Sequence, residues 1–215
     1  MWTEKIKKII SGLLIFFLLF SITLQIPILQ YFSAKTYAED KDFYNLVSII
    51  VDEDTYDAVK GKLTRYSRDI QKKLENTQVV ILPTPSTASV LDIASLNESL
   101  YLEGYKSVKD VDFESRLIGT VLVGKIPVPV VFDEENSGRS ILPYVDFIEK
   151  SYIFNHTSER YEKSSSAGTD LEPEIWHGVI SPNTGDFDSD ITAIEAYFDK
   201  NHDFYVGEGV FDQEK

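Results

Sequence analysis

There is no cysteine in this chain of 215 residues. That excludes disulfides, thiolate metal sites, a lipid-modified cysteine and a cysteine nucleophile. Positive charge is scarce as well: 21 Lys and Arg stand against 35 Asp and Glu, a formal net charge of −14. Residues 1–38 hold four Lys and one acid, so the remainder carries about −17. Such a surface repels phosphate backbones, which excludes DNA or RNA binding. Histidine is limited to His156, His177 and His202, and none is spaced as a metal ligand with another His or a close Glu. Gly119 and Gly124 are too far apart for a phosphate loop. No G-x-G-x-x-G, G-x-x-x-x-G-K-[ST] or G-x-S-x-G occurs.

Apolar material, in contrast, is plentiful: 43% of residues are hydrophobic and 13% aromatic, enough to bury a core. The most concentrated run lies at the N-terminus. Lys5, Lys7 and Lys8 precede Ile9–Leu29, 21 residues broken only by a few polar or small positions and Pro27. About 20 apolar residues span a bilayer as a helix. A basic flank stays cytoplasmic and commits the downstream chain to cross. Thr36-Tyr37-Ala38 offers a signal-peptidase site. Two outcomes are open: residues 1–38 form a cleaved signal peptide, or residues 9–29 remain as a membrane anchor. Either way residues 39–215 are expected to be extracytoplasmic, secreted or held at the cell surface. Export without disulfides fits bacterial surface proteins better than small secreted eukaryotic domains. The sequon Asn155-His156-Thr157 matters only in a eukaryotic secretory pathway.

After residue 45, apolar strands alternate with amphipathic helices. Leu46–Val51 reads as a strand buried on both faces. A helix comes next, capped by Asp54, with Tyr56, Val59, Leu63, Tyr66, Ile70 and Leu74 on one face and Asn76 at its end. Val79–Leu82 is a second buried strand, stopped at Pro83. Ser86–Ser89 opens a helix that Gly104 ends. Leu117–Val123 is a third strand. Pro127 and Pro129 make Val128–Phe132 extended but bar it from the middle of a sheet. Residues 133–140 and 155–172 read as loops. Glu174–Ile180 is a fourth strand, and Asp186–Asp190 leads into a helix with Ile191, Ile194, Tyr197 and Phe198 inward. This order predicts an α/β fold: three layers, a mostly parallel sheet with helices on both faces. Ligands of such sheets bind beyond the carboxyl ends of the strands. Here those ends carry Asp52–Asp54, Pro83–Ser86, Gly124–Pro127 and His177–Ser181.

Two sets of residues carry candidate chemistry. Asp186, Asp188 and Asp190 match the D-x-D-x-D opening of a calcium loop, but Ile191 and Tyr197 stand where an EF-hand needs Gly and Glu. They read as carboxylates at a helix N-terminus, with Ca2+ as the one cofactor the pattern suggests. His177, followed by Gly178 at a strand end, is the candidate general base. Its other reading is a histidine packed beside Trp176 in an outer strand. His156 and His202 lie in polar stretches and read as solvated.

Three segments, in order, resemble the early part of gingipain-type cysteine peptidase domains, a caspase-like α/β fold. They are Leu117–Pro129 (LIGTVLVGKIPVP), Ile141–Tyr152 (ILPYVDFIEKSY), and Pro173–Ser181 with the helix to Tyr205. Lys125 and Val179 occupy positions where that family usually carries Asp and Arg. The resemblance implies the leading half of a caspase-like domain. The family's catalytic His and Cys lie on later strands, so no catalytic role transfers to His177. Three functions are expectations on this basis: a non-catalytic surface protein or pseudo-enzyme fragment, a portion of a cysteine peptidase whose catalytic residues lie beyond residue 215, or an extracellular calcium- or ligand-binding module. The expected partners are the membrane, if residues 9–29 are retained, and an extracellular protein.

Overall fold

The computed structural model describes residues 44–104, 115–133, 136–165 and 172–207. The chain divides at Lys41/Asp42, and all described residues belong to the C-terminal unit. The expected signal or anchor at residues 1–38 lies outside the described residues. Among the described residues, no helix is long and apolar enough to cross a membrane.

The unit is an α/β fold. Strand β1 (Tyr44–Asp52) leads into helix α1 (Glu53–Lys73), then β2 (Thr77–Thr84), α2 (Val90–Glu103) and β3 (Ser115–Val123). Three short elements come next: β4 (Val130–Asp133), β5 (Asn136–Arg139) and a 3-10 turn (Leu142–Tyr144). The chain closes with β6 (Tyr152–Asn155), β7 (Arg160–Lys163), β8 (Trp176–Ile180) and α3 (Phe187–Val206). The main sheet has the order β2-β1-β3-β8, with every pairing parallel. Strand β1 must be buried on both faces, and its alternation serves both. Val47, Ile49 and Val51 meet Val59, Leu63, Tyr66 and Ile70 of α1 and Ile194 and Phe198 of α3. Leu46 and Ile50 turn the other way, onto Ile93 and Leu100 of α2 and onto Tyr144, Val145 and Phe147. Two helices on one face and one on the other give the three expected layers.

Polar atoms inside that second layer are matched to one another. The Ser48 hydroxyl donates to Thr120 Oγ1 (2.8 Å) on the neighbouring strand. Asn97 of α2 accepts from Thr120 and donates its amide to the Tyr144 carbonyl at 3.1 Å. Ser48, Thr120 and Asn97 are fully buried, so each bond removes a desolvation cost on the order of 1–3 kcal/mol.

Several local expectations need correction. The first helix is capped by Asp52, not Asp54, because β1 runs on to residue 52 and Asp52 Oδ1 accepts from Thr55 N at 3.0 Å. Strand β2 is an edge that contains Pro83, whose missing N–H costs no ladder bond on the outer side. The prolines at 127 and 129 precede β4, and β4 sits inside a second sheet of order β5-β4-β7-β6. Of the segments expected as loops, 133–140 supplies β5, and 155–172 supplies β7, which pairs with β6 in that sheet. Tyr197 is exposed, not inward, although its ring edge meets Tyr66. His202 is not simply solvated: its Nδ1 lies 2.8 Å from the carboxylate of Asp69, which is buried in α1.

Candidate functional site

The chain leaves β1 toward β2 on one side, and α2 brings it back to β3 on the other. The strand order therefore reverses between β1 and β3, and the crevice at their carboxyl ends is where such sheets place ligands. In this protein a buried carboxylate lies at that point. Asp52, 3% exposed, spends one oxygen on Thr55 N and the other on Lys125 N at 2.7 Å. It thus ties β1, the start of α1 and the exit of β3 together. Gly124 makes room for this. Its φ is +79°, and a Cβ there would lie 2.1 Å from Asp52 Oδ2. Gly124 N also donates to the Ile180 carbonyl at 2.9 Å, which joins the exits of β3 and β8.

Lys125 then crosses toward α3. Its ammonium lies 5.4 Å from the centroid of the Phe187 ring. Asp186, just before Phe187, is the α3 N-cap: Oδ2 accepts from Ser189 N at 2.9 Å and from the Ser189 hydroxyl at 2.6 Å. Those bonds, with the nearby Lys125 charge, hold its pKa below the ordinary aspartate value. Asp190, 5% exposed, accepts from both the backbone N–H and the hydroxyl of Thr184, at 2.7 and 2.8 Å. Asp188 lies exposed in the first turn. Steps of two on a helix turn about 200°, so the three carboxylates do not share a face. Among the described residues, no group of three or more His, Asp or Glu is placed to hold a metal ion.

His177 is exposed on β8, with Thr120 as its ladder partner. Its neighbour Trp176 lies on the other side of the strand, against Gly119, where an added Cβ would sit 2.0 Å from the indole. Gly119 therefore admits a ring, and Trp176 and His177 do not converge on one site. A cavity of about 310 Å³ opens beyond β2, lined by Thr84, Pro85, Thr87, Asp92 and Ile93. Asp92 and Ser89 close a capping box there, each satisfying the other's backbone N–H. The Ser89 bonds hold the Asp92 carboxyl below its ordinary pKa.

Sequence reasoning missed the second sheet and the groups on its outer face. There Arg160, Glu162, Phe132 and Asn155 meet across strands β4, β6 and β7, which are not all adjacent in the chain. Only the alternation Arg-Tyr-Glu-Lys at 160–163 hints at a strand. The sequon residue Asn155 is engaged in this cluster: its side-chain carbonyl accepts from Thr157 N, and its amide donates to Glu162 at 2.9 Å. In comparisons with protein-family models, curated proteins and solved structures, no match to this chain emerges.

Proposed function

We propose that this chain is exported through residues 9–29 and that its α/β domain works outside the membrane as a non-catalytic surface unit. In this reading it is the leading half of a gingipain-like, caspase-like sheet that supports assembly or adhesion. The observation that carries the proposal is the state of strand β8. Among the described residues it pairs only with β3. Trp176 and Val179 project from its opposite faces and stand 43% and 47% exposed. Apolar side chains on both faces characterise strands inside a parallel sheet, whereas natural edges are blunted by charge, proline or bulges. Strand β8, with the sequence WHGVI, has none of these, and its shortness, five residues, is its one edge-like feature. Its open side is the natural place for another strand to join. The carboxylates at the end of β1 and at the start of α3 support a structural role, because Asp52, Asp186 and Asp190 each hold backbone donors of the fold.

The test has two parts. External protease applied to intact source cells should cleave the domain, and the recovered product should carry polypeptide that protects β8. A full-length chain found dissolved in cytosol would remove the export proposal. A surface product with β8 left open would remove the leading-half reading.

A second reading shares the same open edge. The joining strands would carry a catalytic His and Cys, making this domain part of a cysteine peptidase. Coding sequence downstream of Lys215 with an in-frame apolar strand ending in His-Gly, then another ending in Cys, favours it. An unrelated gene after a stop codon ends it.

A further inference from the structure

The second sheet turns one face inward, through Val131, Tyr161 and Phe154, and the other outward. On the outward face Arg160 is held with unusual care for a half-exposed residue. Its guanidinium lies above the Phe132 ring, with Cζ 4.3 Å from the centroid. Its Nε donates to Glu162 Oε1 at 2.8 Å. Glu162 is itself fixed by two further donors, the Asn155 amide (2.9 Å) and the Ser158 hydroxyl (2.8 Å). Bonds from Asn155, Arg160 and Ser158 push its pKa down to about 2, so the carboxylate stays charged through the neutral and mildly acidic range.

An exposed ion pair contributes little to stability, so this support is not explained by folding alone. Its effect is to orient the guanidinium. The contact to Glu162 uses the Nε side and leaves the paired Nη groups, the edge that grips a carboxylate by two parallel bonds. Beside it lies a cavity of about 430 Å³ lined by Phe132, Lys163, Ser164 and Ser165, and by the carboxylates of Glu162 and Asp133, which are paired with Arg160 and Lys163. Lys163 is held at this place by Asp133 at 2.8 Å. Half-exposed Ile153, the ladder partner of Glu162, supplies apolar surface on the same face.

We propose that this pocket binds the free carboxylate of a peptide, with Arg160 as its anchor and Glu162 as the residue that positions the anchor. This site is independent of the open edge of β8 and of any export. The test titrates the 215-residue protein, followed by NMR, with four probes: a blocked tripeptide ending in a free carboxylate, its C-terminal amide, the same amide with an internal Glu, and inorganic phosphate. Binding of either carboxylate peptide, with the plain amide silent, supports the proposal, and which peptide binds tells a chain end from an acidic side chain. Arg160→Lys keeps the charge but loses the fork, and should weaken binding about tenfold or more. Glu162→Gln should weaken it less. Arg139→Lys, on the exposed strand β5, should leave it unchanged, and thermal melts should show all three variants folded. Equal binding of amide and carboxylate, tighter binding of phosphate, or unchanged affinity in Arg160→Lys would overturn the proposal.

Discussion

The two edges of the main sheet are built differently. Strand β2 ends the sheet on one side with Gln78 and Pro83 exposed and its apolar residues Val79, Val80, Ile81 and Leu82 partly covered by the two cores. Strand β8 ends it on the other side with no Asp, Glu, Lys or Arg and no proline, and with Trp176 and Val179 half in solvent. Among the described residues, the first edge keeps its apolar residues partly covered, and the second leaves Trp176 and Val179 half exposed. Strand exposure, not strand sequence, therefore tells where a sheet stops. Both strands are short apolar runs in the sequence.

The largest expected effect lies between the edges. Gly124→Ala would force a left-handed φ on alanine and drive its Cβ into Asp52, loosening the cap of α1 and the exits of β1, β3 and β8 together. A loss of about 3 kcal/mol is expected, read as the shift of a urea midpoint. An unchanged midpoint would remove the claim that Asp52 ties β1, the start of α1 and the exit of β3 together. Next, the edges themselves separate. Ile81→Lys, placed where β2 packs on the α1 layer, should cost about 2 kcal/mol. Trp176→Ala removes a ring only partly covered against Gly119, and should cost on the order of 1 kcal/mol. Val179→Lys should be the mildest, under about 0.5 kcal/mol in the 215-residue chain, while abolishing any joining at β8. Equal costs for Ile81→Lys and Val179→Lys would mean that the edges do not differ.

The main sheet is legible in the sequence because its signals are local and redundant. Leu46–Val51 and Leu117–Val123 are apolar on both alternations, and Val59, Leu63, Tyr66 and Ile70 recur at helical spacing. Cap identity is less so. Three acids run from 52 to 54, and only the true end of β1 selects Asp52. The second sheet is illegible because its strands are four residues each and two of them, NSGR and RYEK, are mostly polar. Its pairings join β4 to β7 across some thirty residues, and no local pattern announces them. The Arg160–Glu162–Asn155 cluster inherits that obscurity. At the helix N-terminus, by contrast, Asp186 is recognisable as a cap, since a cap is a local arrangement. His202 reads as solvated only because Asp69, its partner, lies on a helix far away in the chain.

The claim that β8 is an unfinished edge can be tested most directly by backbone amide hydrogen exchange at residues 176–180. It should be measured in the 215-residue chain and in the product recovered from the source cell surface. The account predicts rapid exchange of the outward-facing amides in the former and strong protection in the latter. Equally rapid exchange in both would contradict it.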